Sequence, residues 1–209
     1  ETIGYKAFAN CSKLESVKFG KSLWKIGAYA FMECEKLKSI VLPNNVKVIL
    51  TGAFNDCSCL SSVTLSTSMT KIPAEAFAGC MALTTVALPQ SVTSIGDNAF
   101  YDCTLLSTIS LANVNHIGQS AFYDCRSLSE ITLSDNLSVI NDYAFKGCTS
   151  IKGVTIPESV CKIGESAFYD CTALENVTFA GTTPIDFGGH AFANCVSLSA
   201  IEINASNTG

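Results

Sequence analysis

The chain is poor in the residues that most often carry chemistry. Histidine occurs twice in 209 residues, at His116 and His190, several tens of residues apart, where a metal site would need clustered ligands. Only 15% of the residues are charged and 48% are apolar, which argues against disorder and provides for a buried core. The net charge of −5 comes with no basic run, so neither a nucleic acid nor an anionic membrane is expected as the main partner. No uninterrupted apolar stretch approaches the roughly 20 residues of a membrane span, so no direct insertion by this chain is expected. The opening ETIGYKAFAN has neither the charged start nor the apolar stretch of a signal peptide. No Ser-His-Asp arrangement can be picked out and no glycine-rich phosphate loop follows a strand. The expectation is therefore no enzyme, no cofactor and no metal.

Cysteine is the exception to this scarcity. Eleven are present, an odd number, so at least one thiol cannot pair within the chain. The string AFYDC occurs three times, at 99–103, 121–125 and 167–171. It belongs to a wider recurrence of Ala-Phe-x-x-Cys, with the aromatic at Phe8, Phe31, Phe54, Phe77, Phe100, Phe122, Phe145, Phe168 and Phe192. The steps are 23 residues, apart from one of 22 and one of 24. Such a period is the mark of a stacked repeat. The frame is C-x-x-L-x-x-V-x-L-P-x-x-V-x-x-I-G-x-x-A-F.

Each piece of the frame has a local reading. V-x-L alternates with period two, a strand signal, and Pro43, Pro89 and Pro157 end that strand because proline cannot donate to a ladder. V-x-x-I-G is short and β-branched and reads as a second extended segment. A-F-x-x-C places Phe and Cys three apart, on one face of a single helical or 3₁₀ turn. One unit holds about eight apolar positions, too few to fold alone, and stacking completes their burial while adding ladder hydrogen bonds at the ~4.8 Å strand spacing. Nine coils give a curved rod on the order of 40 Å long by that spacing.

In that stack Cys11, Cys34, Cys57, Cys80, Cys103, Cys125, Cys148, Cys171 and Cys195 share one register. They are expected to form an inward column of reduced thiols, because column neighbours point the same way, which is poor disulfide geometry. Catalysis does not need nine copies. Cys59 and Cys161 fall outside the column and read as tolerated surface thiols.

The repeated frame L-x-x-V-x-L-P-x-x-V-x-x-I-G-x-x-A-F-x-x-C resembles the BspA-like, Treponema pallidum-type class of leucine-rich repeats over essentially the whole chain. The resemblance implies a repeat solenoid: a right-handed superhelix of about nine coils of 23 residues. Its parallel β-sheet would lie on the concave side, with short strands and helical or 3₁₀ turns elsewhere. It implies a cell-surface or secreted protein serving in adhesion and protein recognition, and it offers no catalytic residues to carry over.

The pattern departs in places. The glycine after Ile is replaced by Leu50, Pro73 and Asn141, so this position does not demand a left-handed backbone and its glycine reads as serving close packing. The 22-residue unit is short by one between Leu111 and Val114, and Phe187-Gly188 takes the Ile-Gly place in a longer last unit. Residues 1–209 read as a single domain that starts inside a unit, with no polar cap. The expectation is a part of a longer protein, or ends covered by a partner. Trp24, the only tryptophan, is a candidate cover for core near the start.

Binding then falls to outward positions. The x of V-x-L gives Lys18, Val41, Thr64, Ala87, Ser110, Thr132, Thr155, Thr178 and Glu202, mostly small and unlike the Trp, Tyr and Arg of interface hot spots. A stronger candidate is the stripe Tyr101-Asp102, Tyr123-Asp124 and Tyr169-Asp170 beside the buried Phe, with Lys146 interrupting it. It would grip a protein or glycan ligand; the alternative is that each Asp bonds a backbone N–H and each Tyr lies flat over a neighbour. A Ca²⁺ site along the Asp column is weak, since one carboxylate per coil rarely makes six ligands. A spacer array without a ligand of its own is the second reading. The sequons at Asn10, Asn136, Asn176 and Asn204 matter only in a secretory eukaryote.

Overall fold

A computed structural model describes residues 1–203. Two parallel ladders climb the rod, each adding one short strand per coil. The first is built from the V-x-L segments: Ser39–Val41, Ser62–Thr64, Thr85–Val86 and Thr108–Ile109 form one sheet, and Gly153–Ile156, Asn176–Phe179 and Ala200–Ile203 another. The second is built from the segments before Gly: Thr2–Ile3, Lys25–Ile26 and Val48–Ile49, then six strands from Lys71–Ile72 to Asp186–Phe187. Equivalent residues pair in register, as in Ile40 with Val63 and Val177 with Ile201. The strands stop before Pro43, Pro89 and Pro157, and Phe187 pairs with Ile163 in the Ile place.

Each ladder breaks where the repeat departs from its frame. In the second ladder Gly96 donates its N–H to Ile72 O at 2.9 Å and Leu50 donates to Ile26 O at 3.0 Å. Pro73 holds the same position and has no N–H to give, and there the second ladder divides into three strands and six. The first ladder is reduced to isolated bridges, Thr108 with Glu130 and Leu111 with Leu133, at the coil that follows the 22-residue unit.

One apolar core runs from Leu23 to Cys195. Its axis is the Phe column, whose successive rings lie 5.1–5.8 Å apart with interplanar angles of 2–16°. A constant repeat length keeps each ring over the last, so the stacking that aromatic pairs favour recurs at every coil.

The A-F-x-x-C segment is not a helical turn, and among the described residues no helix forms. Around Phe100 the backbone N–H groups of Ala99, Tyr101 and Cys103 reach back three residues, whereas those of Asn98, Phe100 and Asp102 donate to Gln119, Ala121 and Tyr123 of the next coil at 2.8–2.9 Å. Alternate donors thus leave the coil, and left-handed residues at Asn98 (φ 54°) and Asp102 (φ 55°) turn the chain between them. A helix needs every donor to point along its own axis. The same alternation recurs up the rod, from Lys6, Phe8 and Asn10 to Ser166, Phe168 and Asp170.

The glycines after Ile are not at positive φ, and at Gly27, Gly96, Gly118, Gly164 and Gly188 close approach of the neighbouring coil's backbone leaves no room for a Cβ. A Cβ on Gly96 would stand 2.5 Å from the backbone N of Ala74.

Candidate functional site

The cysteine register is buried and hydrogen-bonded from Cys34 onward. Each thiol from Cys34 to Cys195 donates to the carbonyl oxygen of the Phe one coil earlier at 3.1–3.3 Å, for example Cys103 Sγ to Phe77 O at 3.1 Å. Burial pushes the Cys34 thiol up to about 11 and the thiols of Cys57, Cys103 and Cys148 further still, so these groups stay protonated and unreactive at neutral pH. All eleven are free thiols. Cys11 departs from the expected column: it is exposed, because no described coil precedes its own to bring a Phe carbonyl over it. Cys59 and Cys161 are exposed too. Among the described residues no group of three or more His, Cys, Asp or Glu is placed to hold a metal, and no helix is long and apolar enough to cross a membrane.

The tyrosines do come together. Tyr101 and Tyr123 stack at 4.8 Å with an interplanar angle of 18°. Lys146 does not interrupt the stripe; it completes it. Its Nζ lies 5.3 Å from the Tyr123 ring centroid, 5.0 Å from Tyr169 and 5.5 Å from Tyr143, the tyrosine three residues before it. Asn194 Nδ2 then donates to the Tyr169 hydroxyl at 2.8 Å, and the Tyr143 hydroxyl donates to Glu165 Oε1 at 3.0 Å. The result is a ladder over five coils, Tyr101–Tyr123–Lys146–Tyr169–Asn194. Tyr101, 39% exposed, forms its open end beside the small Ala78. Partial burial, then the neighbouring Tyr123, raises the Tyr101 hydroxyl above its ordinary value.

The aspartates of the stripe have a backbone reason to be there. Asp102, Asp124 and Asp170 all sit at left-handed φ (55°, 56° and 63°), as do Asn10, Asp56, Gly79, Gly147 and Asn194 at the same step of other coils, with Glu33 (φ 57°) the exception in residue type. Asp, Asn and Gly are the residues that tolerate this conformation. Asp124 also receives Arg126 at 3.0 Å. Burial, then the charge of Asp124, holds the Asp102 carboxyl above its usual range, with Arg126 opposing. Tyr143 and Lys146 were missed as site residues: they are two long side chains in coil seven, flanked by tyrosines one coil away on either side.

The V-x-L face carries a shallow hollow of about 400 Å³ lined by Thr85, Thr108, Ser110, Glu130 and Thr132, where the first ladder thins. Val86, Ala87 and Ile109 share this lining, which carries no aromatic or arginine side chain. Trp24 leaves 46% of its surface open. Of the sequon asparagines, Asn10, Asn136 and Asn176 are exposed, and Asn204 lies outside the described residues.

The two ladders, the single-turn repeat and the Phe column define a parallel β-solenoid of the leucine-rich repeat class. The chain belongs to the BspA-type leucine-rich repeat family, whose region matches at residues 1–107 and 94–209. Solved structures share the fold. A leucine-rich repeat protein from Bacteroides ovatus is 24% identical with a TM-score of 0.53, covering 96% of this chain and 70% of its own. The leucine-rich repeat protein of T. pallidum is 26% identical with a TM-score of 0.55 over 95% and 71%. One from Eubacterium ventriosum is 19% identical with a TM-score of 0.58 over 90% and 60%. No curated protein matches the chain.

Proposed function

We propose that this solenoid is a recognition module, displayed at a cell surface or secreted, that binds a protein or glycan through the Tyr101–Tyr123–Lys146–Tyr169 ladder. The observation that carries this reading is the Tyr101–Tyr123 stack continuing through Lys146 to Tyr169, a rigid and partly exposed aromatic surface over four coils. Rings held by neighbours lose little side-chain entropy on contact, and tyrosine is among the residues that hot spots favour. Membership of the family supports a binding scaffold, and on this reading the module carries no catalytic step and no cofactor. Residues 1–209 act as one unit of it.

Binding of the whole chain to an array of purified glycans and matrix proteins tests the reading. Tyr101→Ala, Tyr123→Ala and Tyr169→Ala together should lower binding to any captured ligand at least tenfold; unchanged binding removes the ladder as the site. The small, polar V-x-L face favours a second reading, a spacer with no ligand of its own. A spacer tolerates deletion of two whole units without loss of its host protein's binding, whereas a recognition surface does not.

A further inference from the structure

The modest net charge conceals a strong segregation along the rod. Eight of the 13 basic residues lie within residues 1–50, all of them lysines, against four of the 18 carboxylates. The first coils therefore carry four net positive charges and the remainder nine net negative ones. The positive end is largely unneutralised: among the described residues the only ion pairs are Lys38–Glu15 at 2.7 Å and Arg126–Asp124 at 3.0 Å. Lys21, Lys25, Lys47 and Lys71 thus have no carboxylate within ion-pair distance.

One of these lysines, Lys25, lines an aromatic hollow, and the others lie in the same and following coils. A recess of about 310 Å³ is walled by Trp24, Tyr5 and Leu50, with Lys25 at its edge and Gly4 and Gly27 in its floor. The floor is bare because a Cβ on Gly27 would stand 2.6 Å from Gly4 C. Tyr5 and Trp24 are 67% and 46% exposed. Lys47 is fixed next to Trp24 across the ladder, its N–H donating to Trp24 O at 3.0 Å. Lys25 begins the strand paired with Val48–Ile49, and Lys71 stands at the same step two coils on. The recess meets the lower size range of small-ligand sites, and its two open rings suit the flat apolar face of a sugar.

We propose that these first four coils bind a linear sulfated polysaccharide, with one sugar ring against Trp24 and Tyr5 and its anionic groups on Lys21, Lys25, Lys47 and Lys71. The site lies at the opposite end of the rod from Lys146 and Tyr169 and does not depend on the tyrosine ladder. The distribution of charge favours a flexible chain over a duplex or a membrane. Lysines lie on several columns around the coils, including Lys13, Lys18 and Lys36, so a flat surface would meet only part of them. A stiff polyanion laid along the rod would also run into its acidic remainder. Hydrated lysine ammoniums, rather than the bidentate arginines that fit phosphate, make the contacts.

Trp24 is the only tryptophan, so its fluorescence reports the site directly. Titration with heparin should shift Trp24 emission, and the log of the affinity should fall linearly with log salt, with a slope of about 3 to 4 for four lysines. Fully desulfated heparin should bind at least tenfold more weakly. Lys25→Glu with Lys47→Glu should weaken heparin binding at least tenfold, and Lys21→Glu with Lys71→Glu gives an independent pair should the first fail to fold. Lys152→Glu with Lys162→Glu, in the acidic part, should leave binding unchanged. No heparin binding at low salt, or equal binding by a folded N-terminal charge-reversal pair, overturns the proposal. Tighter binding of a single-stranded oligonucleotide or of anionic vesicles than of heparin overturns the assignment to a polysaccharide.

Discussion

Cys103 Sγ lies 3.1 Å from the carbonyl oxygen of Phe77, one coil earlier, and that same oxygen also accepts the N–H of Cys80 at 3.1 Å. The thiol therefore fills the second acceptor site of a buried carbonyl that no water can reach. Cys103→Ala removes the donor and leaves a small void, so it should lower stability by about 1–2 kcal/mol. Cys11→Ala, at an exposed thiol without such an acceptor, should stay within about 0.5 kcal/mol. Denaturant unfolding of the two variants checks the contrast.

Gly96→Ala should destabilise by about 1–3 kcal/mol, the usual cost of overpacking. The new Cβ would meet backbone atoms, Ala74 N at 2.5 Å and Pro73 C at 2.8 Å, which cannot turn aside as a side chain would. Gly189→Ala, where nothing lies within 4 Å, is the matched control and should be close to neutral. Thermal midpoints of the two variants decide it.

The Asp102 carboxyl titrates above its usual range, chiefly through burial and then through Asp124. The folded state then binds the proton more tightly than the unfolded state does, so stability falls as pH rises through the raised value. Asp102→Asn keeps a residue that accepts φ 55° and removes the charge. The variant should be more stable than the parent at pH 7, and the difference should vanish as pH falls below the ordinary carboxylate range. Unfolding midpoints at several pH values test the sign.

Lys146 should contribute through its rings. Cation–π contacts at partly exposed sites are worth about 0.5–1 kcal/mol. Lys146→Met preserves the apolar stem and removes the charge facing Tyr123, Tyr143 and Tyr169. A double-mutant cycle of Lys146→Met with Tyr169→Leu should give a coupling of about 0.5–1 kcal/mol.

The apolar frame of the fold was legible because it repeats: Leu37, Ile40 and Leu42 recur in register through nine units, and the V-x-L alternation shows which side faces in. The turn at Ala99–Cys103 was not legible as non-helical. Its spacing fits a helical face, and only the stack shows that Phe100 and Asp102 donate to the next coil. Asp102, Asp124 and Asp170 looked like chemistry, yet their left-handed φ gives them a conformational reason. Lys146 looked like a gap in the stripe because sequence spacing does not show a long stem lying between rings of adjacent coils. Pro73 was read only for its fixed φ; that its missing N–H breaks the second ladder required the register of Val48–Ile49 to be seen.

Counting reactive thiols tests the central claim most directly. The native protein, treated with excess maleimide under reducing conditions and weighed intact, should take up three labels quickly, at Cys11, Cys59 and Cys161, and all eleven only after denaturation. Rapid native labelling of Cys80, Cys103 or Cys125, or a native mass showing a disulfide or a bound ion in that column, would contradict a row of thiols held inside for fit.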